Sequence, residues 1–428
     1  MNFVEAEAYL LSLGNEVSAM KLGLESMRTL LNALGDPHDK YLKVQVAGTN
    51  GKGSVCAFLD SICRAAGVKV GLYTSPHLVS ITERIRINGE NIAEDEFARL
   101  ARAVRSASER SVASGQLASV PTFFEQVTAI ALLAFADAGV DLAILETGLG
   151  GRLDATTAAN AEICAITRID LDHQKYLGDT IAEIAAEKAA IIHAGCTAFI
   201  GEQPSEATDV ILCRCEEVGV KPVFADLVDV KTTGEGYVFT TGSSDYDIPS
   251  IGLAGRHQIE NAKLAVLVGE ELSRRFELVN ANITLGIESA RHPGRLEYNG
   301  SYLFDGAHNA AGARALAEYL DEFETRGVTL LFAAMDDKPA AEILEILVPR
   351  AQRVVLTQAP NERSLSYDEL LAAMPPTVTK EKTFVCDSVE KGIAIAETVT
   401  PADGLVLVTG SLYLIGEVKT HLAARSQI

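Results

Sequence analysis

The sequence lacks any long apolar run and any cluster of basic residues. No segment approaches the roughly 18 uninterrupted apolar residues of a membrane span, although 48% of the 428 residues are hydrophobic. Asp and Glu number 58 against 37 Lys and Arg, which gives a formal net charge of −21. Such an acidic chain repels nucleic acid and anionic membranes. We therefore expect neither as a partner, and an anionic substrate would need local positive potential from helix N-termini, a divalent cation and a few arginines.

The sequence also lacks the marks of a secreted, disulfide-bonded protein. Its seven cysteines are an odd number in a long chain, and the C-x-C of Cys213 and Cys215 has no second pair at zinc-ligand spacing. Residues 1–13 contain Glu5 and Glu7 but no basic region, unlike a signal peptide. We therefore expect reduced cysteines and a cytoplasmic protein.

The length and the pattern of apolar runs predict two domains. A single core usually stops growing at roughly 250–300 residues, fewer than this chain has. Short β-branched runs alternate with helix-like segments along residues 44–200, which predicts a mostly parallel sheet covered by helices on both faces. The turn-rich residues 223–251 predict a small antiparallel patch at the edge of this first domain.

Proline and glycine punctuate residues 292–295, and a new β/α series follows them. Strand-like runs at residues 302–304, 329–333, 354–357 and 405–409 alternate with helical segments. We expect an α/β fold with a mostly parallel first domain at residues 1–293 and a smaller, Rossmann-like α/β domain at residues 294–428.

The strongest single motif is a glycine-rich segment between a predicted strand and a predicted helix. Such a turn lets backbone N–H groups converge on phosphate oxygens, and Lys52 can reach the β- and γ-phosphates. The spacing differs from G-x-x-x-x-G-K-[ST], because Val46 replaces the first glycine and Gly53 follows the lysine. The candidate phosphate-binding residues are Gly48, Thr49, Asn50, Gly51, Lys52, Gly53 and Ser54.

Other polar residues follow predicted strands, where ligands collect in parallel α/β sheets. Glu146 ends an apolar run and opens a glycine-rich loop, as expected of a residue that holds a hard cation. His173 in DLDH and Asp305 in DGAHN lie at similar junctions, but each is weak evidence alone. Lys188 by itself reads as a solvated helix lysine.

Nine segments in this order make the pattern specific. The chain closely resembles the bacterial folylpolyglutamate synthase/dihydrofolate synthase family, within the Mur-ligase group, from near its N-terminus to about Glu417. The segments are GTNGKGS (48–54), TSPHL (74–78), ETGLGGRLDAT (146–156), DLDH (170–173), EKAAI (187–191), GRHQIENA (255–262), PGRLE (293–297), DGAHN (305–309) and TGSLYLIGE (409–417).

The resemblance implies roles for individual residues. ATP would be bound by residues 48–54 together with Asn261, Arg295 and Asp305. Magnesium, in two sites, would be held by Ser54, Ser75, Glu146, His173 and Lys188, with Lys188 carbamylated. Lys52, Glu146, His173 and Lys188 would form the catalytic set.

The resemblance also implies the substrates. The folate or pterin side would use Lys21, Leu22, Gly23, Thr122, Phe123, Phe124, Arg152 and Leu153. The incoming L-glutamate would meet His308 and Ser411. The expected enzyme is a monomeric, ATP-dependent ligase that works through an acyl phosphate and glutamylates a folate and also dihydropteroate.

The sequence departs from the family pattern at a few positions. Thr157 replaces a frequent asparagine, Ala190 replaces a glycine, and Gln174 and Lys175 follow His173 where threonine and a small or acidic residue are usual. None of these changes removes a metal or phosphate ligand, so they affect only the expected loop geometry.

Two other readings of the phosphate loop remain open. A Mur-type peptidoglycan ligase would use the same chemistry, but we expect a whole domain before its loop, and here only 47 residues precede Gly48. A P-loop kinase, a nucleotide-hydrolysing switch or an inactive nucleotide-binding module would bind ATP without forming an amide. An assay separates these readings.

Overall fold

The computed structural model describes residues 1–14, 23–376 and 380–425. Up to the predicted linker its helices and strands are α1 (Phe3–Leu11), α2 (Glu25–Ala33), β1 (Leu42–Ala47), α3 (Lys52–Ala65), β2 (Val70–Tyr73), β3 (Ile85–Ile87), β4 (Glu90–Asn91), α4 (Glu94–Ala113), α5 (Phe123–Ala138), β5 (Leu142–Glu146), β6 (Ile163–Ile166), α6 (Gln174–Leu177), α7 (Ile181–Ala189), β7 (Thr197–Ile200), α8 (Ser205–Val218), β8 (Val223–Phe224), β9 (Asp229–Thr233), β10 (Gly236–Thr240), β11 (Asp245–Ile248), α9 (His257–Leu272) and α10 (Asn280–Ser289).

After the predicted linker the elements are β12 (Glu297–Asn299), β13 (Tyr302–Phe304), α11 (Ala310–Phe323), β14 (Val328–Phe332), α12 (Ala340–Leu347), β15 (Ala351–Leu356), α13 (Tyr367–Ala372), β16 (Thr383–Val385), α14 (Val389–Val399), β17 (Leu405–Thr409) and α15 (Leu412–Arg425). Short 3₁₀ turns occupy Pro37–Lys40, Ile81–Arg84, Ala155–Ala159, Ala225–Leu227, Val348–Arg350 and Lys380–Lys382.

The first sheet has eight strands in the order β4-β3-β2-β5-β1-β6-β7-β8. The strands from β2 to β8 in this order pair in parallel, whereas β3 and β4 add an antiparallel edge. The predicted mostly parallel sheet is confirmed. Because parallel strands share one direction, β1, β2, β5 and β6 all end at the same edge, and the polar residues that follow them meet there.

Helices cover both faces of this sheet, as the alternation of strand-like and helix-like segments predicted. On β5, Leu142 and Ile144 face a cluster with α3, α9 and α10, whereas Ala143 and Leu145 face α1, α2, α4 and α5. Successive strand residues point to opposite faces, so a strand between two helical layers is apolar at every position. Each fully buried large apolar side chain contributes about 1.5–3 kcal/mol to stability.

The turn-rich region forms the predicted antiparallel patch, a three-stranded sheet in the order β11-β10-β9. The hydroxyl of Tyr246 donates to Glu270 of α9 over 2.9 Å, which fixes the patch against the first sheet's helical layer.

The second sheet has six strands in the order β12-β13-β17-β14-β15-β16, parallel except for β12. Its own apolar clusters lie on both faces. The domain boundary at residues 293 and 294 stays a prediction. No helix in the described ranges is long and apolar enough to cross a membrane.

Candidate active site

The phosphate loop joins β1 to α3 and requires glycine at two positions. Gly48 has φ 150° and Gly51 has φ 91°, values that residues with a side chain rarely adopt. A Cβ on Gly48 would overlap the Thr167 side chain, and one on Gly51 would overlap the Asn261 amide. The loop is therefore a cradle in which backbone amides can approach a ligand closely.

Lys52, the first residue of α3, curls back over this loop. Its Nζ donates to the carbonyl oxygens of Gly48 and Thr49 over 3.0 and 3.1 Å. Removal from water lowers the pKa of Lys52, and the nearby Glu146 charge opposes that shift. The ammonium is thus already placed over the cradle, where phosphate oxygens would bind.

Glu146 ends β5 beside the phosphate loop. It is buried, and its Oε2 accepts a hydrogen bond from the Ser75 amide over 3.1 Å. Burial raises the pKa of Glu146, while Lys52 and the Ser75 amide favour the ionised form. Ser54, whose hydroxyl accepts from Gln258 over 3.2 Å, lines the same cavity as Ser75 and Glu146. Two hydroxyls and a carboxylate are donors suited to a hard cation.

His173 and Asp337 leave buried polar atoms without hydrogen bonds. His173 Nδ1 lies 3.5 Å from Asp337 Oδ2, too far for a good hydrogen bond. Neither this nitrogen nor either Asp337 carboxylate oxygen has a hydrogen-bond partner among the described residues. Burial lowers the pKa of His173, so its ring favours the neutral form that metals bind. Asp337 has the ammonium of Lys338 and the guanidinium of Arg363 at 3.6 and 3.5 Å, so these atoms are suited to a divalent cation or another polar ligand.

Lys188 is buried near the end of α7, which contradicts the solvated-face reading. Its exposed fraction is 4%, and burial, with the positive charge of Lys52, lowers the pKa of Lys188 to about 7. The glycine loop after Glu146 packs on this helix, since Arg152 N donates to the Glu187 carbonyl over 2.8 Å. Thr157 fits the same loop, donating to Gly151 O over 2.7 Å.

A cavity of about 620 Å³ opens over the phosphate loop. We call it the phosphate cavity. All predicted ATP and metal residues line it, namely Gly48, Thr49, Asn50, Gly51, Lys52, Gly53, Ser54, Ser75, Glu146, His173, Lys188, Asn261, Arg295 and Asp305.

The second sheet closes this cavity through Asp172. The carboxylate of Asp172 accepts from Lys338 Nζ over 2.6 Å and from Asn309 Nδ2 over 3.0 Å. Asn309 also donates to Asn50 of the phosphate loop over 3.1 Å. Asp305, at the end of β13, accepts from the Leu296 and Ala307 amides, over 3.0 and 2.9 Å.

Asp172 is held ionised by these partners. Burial disfavours its charge, but the hydrogen bond and charge of His308 and the charge of Lys338 outweigh burial and hold the pKa of Asp172 well below its usual range. The contact between the two sheets is thus an enclosed ion-pair network.

A second cavity of about 260 Å³ has apolar walls and walls of both charges, the acidic ones being Glu125, Asp154, Glu187 and Asp337. We call it the acceptor cavity. Its apolar walls include Leu24, Met27, Phe124, Leu153 and Tyr176, and its cationic walls are Arg152, Lys338 and Arg363. It shares with the phosphate cavity the residues Ser75, Pro76, Gly148, Leu149, His173, Leu177, His308 and Leu412, so a ligand in one cavity can meet a ligand in the other.

Most of the predicted substrate residues line the acceptor cavity: Gly23, Thr122, Phe124, Arg152, Leu153, His308 and Ser411. Phe123 does not. It is 3% exposed in the core, with the Arg84 guanidinium 5.4 Å from its ring centre. Phe123 and Phe124 begin α5, and consecutive helical residues differ by about 100° in direction, so only one of the two can face the cavity. Lys21 and Leu22 lie outside the described residues.

Sequence reasoning missed Asp172 as a contact residue, and it missed Asn309, Asp337, Lys338 and Arg363. Asp337 and Lys338 follow β14 by a few residues, the same strand-end signal that marked Glu146. Arg363 lies in the long connection between β15 and α13, where no local pattern marks it.

Two sequence-family models match this chain, and both describe Mur ligases. The Mur ligase middle domain matches residues 46–269, and the Mur ligase glutamate ligase domain matches residues 294–412. The fold and the phosphate cavity thus have the architecture of a Mur ligase.

Comparison with individual relatives shows which Mur ligases this chain resembles. A Bacillus subtilis dihydrofolate synthase/folylpolyglutamate synthase is 34% identical over 420 residues, covering 94% of this chain and 95% of its own. A Halobacterium salinarum relative, named a probable bifunctional folylpolyglutamate synthase/dihydropteroate synthase, is 37% identical over 98% of this chain but only 52% of its own. The chain therefore spans about half the length of that haloarchaeal relative.

Solved structures agree over the whole chain. Escherichia coli FolC in complex with DHPP and ADP has a TM-score of 0.88 and 29% identity, covering 100% of this chain and 99% of its own. A bifunctional folylpolyglutamate synthase/dihydrofolate synthase with Mn, AMPPNP and L-glutamate has a TM-score of 0.86 and 28% identity, covering 99% and 98%. The chain belongs to the folylpolyglutamate synthase/dihydrofolate synthase family.

Proposed function

We propose that this protein is an ATP-dependent ligase that joins L-glutamate to the carboxylate of a folate, and also to that of dihydropteroate. The observation that carries the proposal is the shared wall of the phosphate and acceptor cavities at Ser75, His173 and His308. An acceptor carboxylate at that wall would lie beside the γ-phosphate of ATP bound over the glycine cradle. The proposal includes a monomer working in the cytoplasm, where ATP is available.

The phosphate cavity suits magnesium-ATP. Backbone amides of residues 48–54 would bind the phosphates, and Asn261, Arg295 and Asp305 would contact the rest of the nucleotide. Ser54, Ser75, Glu146 and His173 would hold the cation, since the unpartnered Nδ1 of His173 and the hydroxyl and carboxylate oxygens fit a divalent ion. A bound cation would neutralise charge that develops on the phosphoryl oxygens.

Carbamylation of Lys188 fits its surroundings. With a pKa of about 7, a large fraction of the amine is neutral at neutral pH and can attack carbon dioxide. The nitrogen–carbon bond forms as one C=O π bond of carbon dioxide opens, a proton leaves the nitrogen, and the neutral amine becomes an anionic carbamate. That anion would complete a second cation site and would remove the repulsion between Lys188 and Lys52.

The reaction has two steps. An oxygen of the acceptor carboxylate attacks the γ-phosphorus, the bond to the ADP oxygen breaks, and an acyl phosphate forms. The neutral α-amine of glutamate then attacks the acyl carbon, a C–N bond forms, and phosphate and a proton leave. Lys52 and the loop amides favour the first step by binding the phosphoryl oxygens.

Water must be kept from the acyl phosphate. The contacts of Asp172 with Lys338 and Asn309 hold the second sheet over the phosphate cavity. Opening of these contacts would admit substrates and release products.

The acceptor cavity suits the two organic substrates. Thr122, Phe124 and Leu153 would face the pterin, and Arg152 would meet an anionic part of the acceptor. His308 and Ser411 would contact the glutamate, and we add Lys338 and Arg363 as cations for its carboxylates. Charge-assisted hydrogen bonds of this kind are about twice as strong as neutral ones.

The test is an assay by product mass. Purified protein is incubated with magnesium-ATP, L-glutamate and either dihydropteroate or a reduced monoglutamyl folate. We expect one ADP per added glutamate with both acceptors. Addition to only one acceptor would restrict the function to that reaction.

Two further arms complete the assay. Addition of an amino acid to a nucleotide-linked sugar peptide would replace the proposal with a peptidoglycan ligase. ATP binding without any product would leave an inactive binding module. The Lys52→Met variant serves as the negative control for contaminating ligase.

A further inference from the structure

Three side chains of types that commonly bind metals lie close together at the edge of the first sheet opposite the phosphate loop. Cys164 lies near the start of β6, Cys196 immediately precedes β7, and His193 lies in the connection from α7 to β7. One ligand atom from each of the three lies within 4.8 Å of the other two. We propose that Cys164, His193 and Cys196 bind one thiophilic divalent cation of the Zn²⁺ type.

The donor set and its spacing fit such an ion. Zinc binds sulfur at about 2.3 Å and imidazole nitrogen at about 2.0–2.1 Å in tetrahedral geometry, which places ligand atoms about 3.5–3.8 Å apart. The present separations need each side chain to move by about 1 Å at most. Two sulfurs and an imidazole also select against magnesium, which prefers oxygen ligands.

In its neutral form the His193 ring has one nitrogen that carries no hydrogen. Its Nε2 lies 3.0 Å from the Ala161 carbonyl oxygen and its Nδ1 lies 3.1 Å from the Ala194 carbonyl oxygen. A neutral imidazole has one N–H, so it can donate to only one of these oxygens. The other nitrogen directs its lone pair at the second carbonyl oxygen, so the ring must turn away from that oxygen to bind an ion. The remaining N–H can keep its carbonyl partner, as is common for a metal-bound histidine.

The two thiols already interact. A hydrogen bond between them lowers the pKa of the Cys196 thiol below its usual value, and that bond together with burial raises the pKa of Cys164. Cys164 Sγ also lies 3.2 Å from the Ile191 carbonyl oxygen. A bound cation would displace the protons of both thiols.

A disulfide fits the backbone less well than a shared ion. In the parallel pairing of β6 with β7, Cys164 lies opposite Ala198, so Cys196 is two residues out of register. With strands about 4.8 Å apart and about 3.3 Å per residue, the two Cα atoms lie about 8 Å apart. Disulfides need Cα separations below about 7 Å. An ion between the two sulfurs can bridge a longer Cα separation.

The proposed metal site lies at the opposite edge of the sheet from the phosphate cavity. A bound ion would therefore stabilise the structure and take no part in the reaction. Cys164 is fully buried and Cys196 is 7% exposed, while His193 is partly exposed and gives access to the ion. Cys215 of α8 belongs to the same apolar cluster but not to the group within 4.8 Å, so we assign the fourth position to water. The ion would tie β6 to the segment that follows α7, the helix that carries Lys188.

The experiment uses cobalt as a spectroscopic probe and zinc for stability. Reduced, metal-free protein in excess Mg²⁺, which occupies oxygen-ligand sites, is titrated with Co²⁺ while thiolate-to-cobalt charge-transfer absorption is recorded. We expect one equivalent of Co²⁺ bound with this absorption, displacement by Zn²⁺, and a zinc-dependent rise in the melting temperature.

The variants are Cys196→Ala and His193→Gln, with Cys63→Ala as a control because Cys63 is also a buried cysteine but lies outside the cluster. We expect Cys196→Ala to abolish the absorption, His193→Gln to weaken binding at least about 10-fold, and Cys63→Ala to change neither. Circular dichroism checks that each variant is folded.

Three results would overturn the proposal. One is a wild-type protein without thiolate–cobalt absorption. Another is absorption that survives both variants. The last is an intact mass short by two hydrogens that reductant restores, which would establish a Cys164–Cys196 disulfide in place of a metal site. None of these readouts depends on ligase activity, so failure here leaves the proposed function standing.

Discussion

The two sheets supply different kinds of groups to the site. The first sheet contributes a glycine cradle and the buried Glu146 and Lys188, all fixed at strand or helix ends. The second contributes longer side chains from loops, such as Arg363, whose side chain is 24% exposed. In the proposed function the first set binds phosphate and metal and the second binds substrate, and the two sets meet where Asp172 contacts Lys338.

Loss of a fixed group on the first sheet should have the largest effect. In Lys52→Met the phosphoryl oxygens lose their cation in the transition state, so we expect kcat to fall about 10²–10³-fold or more while the protein stays folded. Steady-state ATP turnover and circular dichroism measure both quantities. Lys391→Met, at a lysine whose side chain is 63% exposed, is the control. Normal turnover in folded Lys52→Met would contradict the site.

Lys188→Met should lower activity but raise stability. We expect activity to fall about 10²-fold, with partial rescue by short carboxylates if a carbamate is the working group. The pKa of Lys188 falls from 10.5 to about 7 on folding, so the unfolded state binds more protons between these pH values and wild-type stability rises with pH there.

The stability gain of Lys188→Met should therefore be greatest at pH 7 and below, on the order of 5 kcal/mol. It should vanish toward pH 10.5. Denaturant unfolding of both proteins across this range tests the sign. A variant that is fully active, or less stable than wild type at pH 6, would return Lys188 to an ordinary lysine.

Asp172→Asn tests the contact between the sheets. It leaves the enclosed Lys338 ammonium with Asp337 at 3.6 Å and His173 Nε2 at 3.2 Å, so we expect the free energy of unfolding to fall by about 3–5 kcal/mol, with a moderate fall in kcat. The folded pKa of Asp172 lies well below its usual range. Its contribution to stability is therefore present above the unfolded value of about 3.9 and is lost as pH falls through the folded value.

Lys338→Met provides the matched partner for a double-mutant cycle on unfolding free energies. A coupling energy near zero would show that the two sheets are not joined through this pair.

Loss of a loop side chain that follows a strand of the second sheet should have the smallest effect. Arg363→Ala removes one cation from the acceptor cavity, so we expect about a 10-fold rise in KM for glutamate, the order of one charged hydrogen bond, with little change in kcat or in KM for ATP. Arg353→Ala, in β15 of the second sheet and outside both cavity walls, is the control. A larger rise in KM for ATP than in KM for glutamate would contradict the proposed contact of Arg363 with glutamate.

The sequence predicted regular elements best where local signals agreed. The strand predicted at residues 405–409 matches β17, which is a fully buried run. One of the helical segments expected between the strands is α14, which begins after the capping Ser388. Long helices were still missed. The buried Phe97, Leu100, Ala101 and Val104 of α4 have the helical spacing, but its polar outer face obscured the pattern. The two- and three-residue strands β3, β4 and β12 are too short to show any period.

By itself, the sequence determined the phosphate loop, the mostly parallel sheet and the family, because glycines, strand ends and their order along the chain are local properties. Only the tertiary structure decided that Phe124 and not Phe123 faces the acceptor cavity, that Lys188 is buried, and that Asp172 meets Lys338. It also brought Cys164 to His193 and Cys196, which no cysteine spacing predicted. Each of these depends on which face an element buries and on contacts between distant residues, and packing of the whole chain fixes both.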